Sequence, residues 1–366
     1  MATVHIGESP RKLIWKELFP LFTISRCLGI FPYDNRFKSS KILVLYSYIV
    51  TTFFMSLSLI LKLWYMFSVN DPWFVTSDRI FLGIIQIFGE VGTVCVHLLC
   101  DRKWKLVSKD FHEIGLVKTK FSQMFATWLT IFTLIYVFGC CMVYSFFTEW
   151  ANIYGFFLIF SNLFHSLFFY IIILQFCSSI EIVNCMLKDV NKQLNLFRTP
   201  DEVLNFINLY YLLQNKFIKI NNRYSLSTLT AISRIVVQLV LCIYLSINLL
   251  NVASQENLTQ AIMIWINSVF EVFLLYCLTG ICMKTYRQDE HFKNKILFLM
   301  LRDENLLKNE NLQIFLRRKT QLILTAHGFF TLGYPFITSI TGAVVMYVII
   351  LMQTDQLKLE EVDVLN

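Results

Sequence analysis

Seven stretches of mostly apolar residues, each long enough to cross a bilayer, constrain this chain more than any other feature. They run over residues 42–66, 80–100, 124–147, 153–182, 232–252, 261–283 and 336–352. A helix that crosses the hydrocarbon core needs about 20 such residues. The composition agrees, because 56% of the residues are hydrophobic and only 16% are charged, which is more apolar surface than a soluble domain can bury. The pattern predicts an all-α, polytopic membrane protein with seven transmembrane helices.

The basic residues between the spans predict the orientation of the chain. The N-terminal segment and the second, fourth and sixth connections carry 28 of the 32 Lys and Arg residues, whereas the other connections and the tail carry two. Because connections rich in Lys and Arg stay on the cytoplasmic side, we expect the N-terminus inside and the C-terminus outside. The cytoplasmic connections are long and the outer ones are short.

Several classes of function and site are not expected. The net charge of +7 is spread between the apolar segments, so it does not form the single basic patch that nucleic-acid binding needs. We expect no cleaved signal peptide, because the first 40 residues lack a short apolar core with a cleavage site. None of the ten Cys falls in an outer loop, so no extracellular disulfide is expected. Nucleotide-binding, HExxH and CxxC motifs are missing and the His residues are scattered, which predicts no enzyme, cofactor or metal site.

Two cytoplasmic connections have helical patterns. Thr199, Pro200 and Glu202 form a helix start, with Thr199 as N-cap. In the sixth connection, apolar residues form two stripes at helical spacing, Phe292, Ile296, Leu299 and Met300, then Leu312, Phe315 and Leu316. These helices either lie on the inner leaflet or pack together and assemble subunits. The apolar residues 325–334 either extend the seventh span or form a separate helix.

Polar residues inside the spans indicate a site in the outer half of the bundle, since polar groups are expensive in lipid. Glu90 and Glu271 fall near mid-depth, and no Lys or Arg is expected at that level. The candidate ligand-binding residues are Gln86, Glu90, Tyr144, Asn162, His165, Asn248, Trp265, Asn267 and Glu271. They either line a cavity open to small molecules or form hydrogen bonds that hold the helices together. A glycosylation sequon at Asn257 falls in the fifth connection, on the predicted outer side.

The last span ends on polar residues that either belong to a pore or mark the end of the helix in the headgroups. Thr341, Val345, Ile349 and Gln353 recur every four residues and share one helix face. Ile349 and Met352 form a candidate apolar constriction, and a ring of Asp355 beyond it would concentrate cations. Tyr347 completes the set of candidate pore and gate residues.

The same segment resembles the C-terminal signature of insect gustatory receptors, which is Thr-Tyr, five hydrophobic residues and Gln-Phe. This chain has Tyr347, a five-residue hydrophobic spacer and Gln353, with Met346 and Thr354 in place of the Thr and the Phe. The segment PLFTISRCLGIFPYD, at residues 20–34, is also similar to the family. Sugar receptors of the family often carry an acid after the Tyr, and Val348 occupies that place, which argues against that branch.

The resemblance implies a chemosensory, ligand-gated cation channel of the plasma membrane, opened by a small-molecule tastant. It implies a homotetramer or a heterotetramer with related receptors, embedded in the lipid bilayer and conducting permeant cations. Residues 1–283 would hold six spans and the ligand pocket, 284–335 the cytoplasmic assembly region, 336–353 the pore helix and 354–366 a short extracellular tail. A seven-helix receptor coupled to G proteins and a membrane transporter are the alternatives.

Overall fold

A computed structural model of the chain describes residues 21, 23–27, 41–68, 131, 134, 153–194, 200–251, 255–317 and 322–365. Its helices and strands are α1 (Lys41–Ser68), α2 (Ile153–Gln193), α3 (Pro200–Asn251), α4 (Gln255–Arg302), α5 (Glu304–Lys308), α6 (Glu310–Arg317), β1 (Thr325–Ala326), β2 (Phe330–Thr331) and α7 (Tyr334–Leu365). Helices α1, α2, α3, α4 and α7 contain the first, fourth, fifth, sixth and seventh predicted spans. The second and third spans lie almost wholly outside the described residues.

Four helices in the described part of the chain are long and apolar enough to cross a membrane. Among the residues whose side chains the structure describes, their candidate membrane spans are Phe169–Gln193, Asp201–Tyr244, Ser268–Arg302 and Tyr334–Thr354. The part of α1 described in this way, Lys41–Phe53, is also apolar. The prediction of an all-α, polytopic membrane protein is confirmed.

The central helices extend far beyond the predicted spans. Helix α3 has 52 residues and α4 has 48, so each is roughly 70–80 Å long at about 1.5 Å per residue. The hydrocarbon core is only about 30 Å thick. The helices therefore continue past residues 182, 232 and 283, where the predicted spans end or begin, because hydropathy detects only the part of a helix that contacts lipid.

The three long helices form a bundle in which α2 and α4 run parallel and α3 runs antiparallel to both. Contacts along α2 and α4 rise together in residue number, from the Tyr170–Phe270 ring pair to the Glu181–Lys284 ion pair. Helix α3 pairs in the opposite sense, with Tyr224 against Phe176 and Tyr210 against Phe292. This alternation is what three successive crossings of a membrane require.

The predicted cytoplasmic stripes are buried and pack together. Phe292, Ile296 and Met300 of α4, and Leu312 and Phe315 of α6, belong to the core. Tyr210 of α3 stacks on Phe292 at 4.6 Å between ring centroids and meets Phe315 edge-on at 5.6 Å. Helix α3 begins at Pro200 as predicted, with two acidic residues in its first turn, whereas the predicted N-cap at residue 199 lies outside the described residues. The helices therefore form a core of their own rather than lying singly on a lipid surface.

Residues 325–331 form a β-hairpin, so neither helical prediction for residues 325–334 was right. Thr325 pairs with Thr331 and Ala326 with Phe330. His327 and Gly328 adopt positive φ angles of 53° and 80°, a left-handed conformation that ends regular structure and suits Gly. The Gly328 turn between apolar runs was the available signal, but strands of two residues are too short for periodicity to reveal.

Helix α7 lies at the edge of the bundle. Phe336, Ile340, Val344 and Val348, spaced four residues apart, are buried where α7 packs on α3 and α4. Only 22% of the residues in its most apolar stretch are buried, against 94% in α2. Most of the surface of this last span is therefore left for lipid or for other subunits.

Candidate functional site

A charged and aromatic cluster joins α2, α3 and α4 inside the predicted membrane-spanning region. Glu271 of α4 is buried, with 1% of its surface exposed, and Arg234 of α3 is buried with 6% exposed. The Arg234 guanidinium lies over the ring of Phe169 on α2, 4.5 Å from its centroid. Such a cation–π contact is strong when it is desolvated. We call Phe169, Tyr170, Arg234, Phe270 and Glu271 the Glu271 cluster.

The presence of Arg234 at this level corrects the expectation that no Lys or Arg lies at the depth of Glu271. The positive charge of Arg234 lies close enough to Glu271 to favour its ionised carboxylate, in an environment where an isolated charge is costly. The positive charge inside the apolar run of the fifth span was the sequence signal. The depth estimate failed because it assumed that α3 enters the membrane at residue 232.

Glu271 retains unused hydrogen-bonding capacity. Among the described residues, no donor is within hydrogen-bonding distance of its Oε2 atom. The rings of Tyr170 and of Phe270, the residue before Glu271 in α4, meet edge-on at 4.8 Å between ring centroids. A buried acceptor without a donor is able to receive a hydroxyl or amine group of a small organic molecule.

The structure places the predicted ligand-binding residues unevenly. Gln86, Glu90 and Tyr144 lie outside the described residues. Asn162 and His165 lie on α2, Asn248 lies on α3 and Asn267 lies on α4. Along α2, Asn162 is about 10 Å from Phe169 by helical rise, so the two predicted polar residues of α2 lie within about two turns of the Glu271 cluster. Trp265 is 48% exposed.

Most of the predicted pore residues lie on the face of α7 that points away from its own bundle. Thr341, Val345, Ile349 and Gln353 are all exposed, whereas the residues immediately before Thr341, Val345 and Ile349 are buried against α3 and α4. Tyr347 is also half exposed and Met352 is partly buried. The four-residue spacing therefore separates a packed face from an outward face.

Helix α7 does not end at Gln353. It continues to Leu365, through Asp355 and the residues assigned from the sequence to an extracellular tail. The alternative that Gln353 and Asp355 mark the helix end is therefore wrong. The hydroxyls of Ser339, Thr341 and Thr354 donate to carbonyl groups one turn earlier, so these side chains need no further partner.

The predicted glycosylation site at Asn257 falls on a helix. Asn257 lies in the first turn of α4, which begins at Gln255, not in an irregular connection.

Polar contacts join α2 and α4 farther along both helices. Lys284 of α4 pairs with the buried Glu181 of α2, and Lys295 donates to the carbonyl of Asn191 at 2.7 Å. Each of these pairs joins residues about 100 positions apart in the chain, so no local sequence pattern predicts it. Among the described residues, His, Cys, Asp and Glu form no group that could hold a metal ion.

The long bundle, the buried charged cluster and the outward-facing last helix define a multi-pass, all-α membrane protein with a polar site among its spans. A family model described as seven-transmembrane chemosensory receptor matches residues 18–358. The chain belongs to this chemosensory receptor family, which confirms the resemblance detected in the C-terminal signature. The family is a receptor family rather than an enzyme family, and its membership is consistent with the plasma membrane. No curated protein matches the sequence.

Solved structures share the fold. One is the insect olfactory receptor OR5 from Machilis hrabei, with 11% identity and a TM-score of 0.55. The same receptor in complex with eugenol has 12% identity and a TM-score of 0.53. In both cases the match covers 93% of this chain and 98% of the receptor. At such low identity the likeness establishes the fold alone, and it extends over nearly the whole chain.

Proposed function

We propose that this chain is a gustatory receptor that works as a ligand-gated, non-selective cation channel opened by a small-molecule tastant. Four subunits, identical or mixed with related receptors, would surround one pore in the lipid bilayer, with one α7 from each. Membership of the chemosensory family supports the receptor role, and the C-terminal signature supports the gustatory branch. The outward face of α7 supports the channel mechanism.

The observation that carries the proposal is the outward face of α7. A helix that only crossed lipid would present apolar residues to it, yet this face carries the exposed amide of Gln353 beyond Val345 and Ile349. An exposed side-chain amide on a membrane helix is costly in hydrocarbon and is readily accommodated beside water. A central pore gives this mixed face a wet surface, while lipid and neighbouring subunits cover the rest.

The order of residues along this face suggests how the pore closes. Small and hydroxylated residues occupy its inner half, where a wide aqueous vestibule would tolerate them: Ser339, Thr341, Gly342 and Ala343. Ile349 and Met352 would form an apolar constriction that closes by dewetting. Gln353 would supply amide groups just beyond the constriction, and a ring of Asp355 would attract cations.

The tastant would bind among α2, α3 and α4 and the spans that precede them. Asn162, His165, Asn248, Trp265 and Asn267, from α2, α3 and α4, would line the site above the Glu271 cluster. Gln86, Glu90 and Tyr144 would complete it from the preceding spans. The unused Oε2 acceptor of Glu271 would receive a hydroxyl or amine of the tastant. Glu90→Ala should then change the response to the tastant more than the amount of protein at the cell surface.

Patch-clamp recording from cells that express this chain tests the proposal, with sucrose, quinine and glycine as probes of three tastant classes. Gln353→Leu should abolish or strongly reduce the current, because it removes the amide beyond the constriction. Gln353→Asn is the matched control that keeps an amide and should still conduct. Surface biotinylation must show equal amounts of all variants.

Asp355→Lys supplies a second, independent test of the pore. Reversing four charges at the mouth should lower cation conductance or shift the reversal potential toward that of anions. Currents in both Gln353→Leu and Asp355→Lys that equal those of the unsubstituted chain would show that α7 does not line the pore. Signalling that requires a G protein, or uptake of the probe without current, would favour the receptor or the transporter instead.

A further inference from the structure

The segment that links the cytoplasmic bundle to α7 is an extended strap, which we define as residues 322–327. Its side chains alternate, with Leu322, Leu324 and Ala326 buried and Ile323 exposed at 43%. The chain then turns at Gly328, and the amide of Leu332 donates to the carbonyl of Leu324 at 2.8 Å. Helix α7 begins two residues later, so the position of the strap fixes where the inner end of α7 starts.

Side chains of the bundle hold the backbone of this strap. The amide of Leu322 donates to Oδ2 of Asp289 on α4 at 3.3 Å. The amide of Thr325 donates to Oδ1 of Asn221 on α3 at 3.2 Å. Buried backbone N–H groups need partners, and here the partners are side chains of two helices that also carry the Glu271 cluster.

Asp289 is the most constrained of these anchors. Its side chain is buried, with 1% exposed, and Oδ2 also accepts from Lys293 at 2.8 Å. Its other oxygen accepts the hydroxyl of Tyr210, which is fully buried between Phe292 and Phe315. One carboxylate therefore ties together α3, α4 and the strap, and packed rings on one side and an ammonium group on the other fix its position.

Asp289 and Glu271 lie on the same uninterrupted helix, 18 residues and about 27 Å apart. A shift or rotation of α4 at the Glu271 cluster therefore reaches Asp289 through continuous helix. The Leu322 amide is the point at which that motion passes from α4 to the segment entering α7. A second contact joins the same two parts, because the Tyr276 and Tyr334 rings lie 6.2 Å apart.

We propose that Asp289 is a positioning residue for gating, whose carboxylate couples movement of α4 to the inner end of α7 through the strap. The inference rests on the proposed channel function and adds the route by which the ligand site controls the pore. Asp289 touches neither the Glu271 cluster nor the outward face of α7. Its loss should therefore alter the coupling between binding and opening while leaving the pore itself intact.

The test compares Asp289→Asn with the unsubstituted chain and with Glu304→Gln. Glu304 is a suitable control because the same carboxylate-to-amide change there affects only an exposed i, i+4 pair with Lys308. The probe is whichever of sucrose, quinine and glycine gives the largest current in the unsubstituted chain. Hydrogen bonds to charged groups change an equilibrium by about tenfold or more. Asp289→Asn should therefore raise the half-maximal concentration about tenfold or cut the maximal open probability, with unchanged single-channel conductance.

Three further measurements distinguish coupling from simple damage. Amide hydrogen exchange of the purified protein should rise at residues 322–325 in Asp289→Asn and stay unchanged in Glu304→Gln. Tyr210→Phe, which keeps the ring stack and removes only the hydroxyl, should shift the current–concentration curve in the same direction by a smaller factor. Binding of the probe, measured by calorimetry on the purified protein, should be altered far less than the current.

The outcomes separate this proposal from the one on which it rests. No current from the unsubstituted chain at the cell surface refutes the channel. Current from the unsubstituted chain, together with identical current–concentration curves for Asp289→Asn and Glu304→Gln, overturns the role of Asp289. A loss of probe binding that matches the loss of current in Asp289→Asn also overturns it, because the residue would then serve folding rather than coupling.

Discussion

Replacing Arg234 tests whether the Glu271 cluster is a compensated charge pair. Arg234→Met removes the guanidinium that lies 4.5 Å from the Phe169 centroid and leaves Glu271, 1% exposed, without its counter-charge. Leaving a buried charged group without a partner costs about 1–3 kcal/mol or somewhat more. The lost cation–π contact is worth about 2 kcal/mol when desolvated, and it forms part of that total rather than an addition to it.

A double-mutant cycle isolates the pairwise contribution. Glu271→Gln alone leaves Arg234 buried without its carboxylate, and Arg234→Met with Glu271→Gln removes both charges. The effects of mutations at neighbouring residues do not add, so the double variant should lose about 2–3 kcal/mol less stability than the sum of the losses in the two single variants. Met keeps most of the volume of the side chain, so the cycle reports charge more than packing.

Heating of the purified protein in detergent, followed by size-exclusion chromatography of what stays folded, gives the apparent melting temperature of each variant. Arg302→Met is the matched control, since that guanidinium also lies over a ring, Phe298, at 4.2 Å, but on an exposed surface. It should cost no more than about 1 kcal/mol. Equal losses for Arg234→Met and Arg302→Met, or strictly additive single losses in the cycle, would refute the reasoning.

Three further predictions concern packing and topology. A Cβ on Gly333 would lie 3.1 Å from Sδ of Met283. Gly333→Val should therefore destabilise the protein by about 1–3 kcal/mol. Adding Met283→Ala should restore part of the lost stability, because it removes the side chain that clashes. Phe292→Ala should lower stability by about 3–5 kcal/mol in the same melting assay; a neutral change would contradict its place in the core. An N-terminal tag should stain only after the cells are permeabilised. A glycan attached at Asn257 should be lost in Asn257→Gln. A glycan on an engineered sequon in residues 101–123 would contradict the predicted orientation of the whole chain.

The sequence predicts helices well where one physical requirement dominates. Lipid demands long apolar runs, so the spans within α2, α3, α4 and α7 can be read directly. The start of α3 at Pro200 follows from local chemistry, and the burial of Phe292 and Phe315 follows from helical periodicity. Each of these signals lies within a few neighbouring residues, which explains why one sequence is enough to find it.

The missing information concerns contacts between distant segments. No local sequence pattern predicts that Arg234 lies near Glu271, because their proximity depends on the relative position of α3 and α4 along the bundle axis. Asp289 is an ordinary acid on a polar helix face until Tyr210 and the Leu322 amide, 79 and 33 residues away, are brought to it. The outward face of α7 can be predicted only in part. The four-residue spacing shows which residues share the face, but only the packing of α7 on α3 and α4 shows that this face points away from the bundle.

The unbroken length of α3 and α4 has a mechanical consequence. A rod roughly 75 Å long that tilts by about 5° around one end moves its other end by about 6 Å, whereas a jointed chain would absorb the same motion at its hinge. Helix α4 is continuous from Gln255 to Arg302, so it has no hinge at which such a tilt could be lost. A small molecule that moves one end of α4 by a fraction of its own width would displace the far end by several times as much if the fulcrum lies near the end that it moves. A fluorophore attached near Arg302 would therefore report events at the opposite end of the helix.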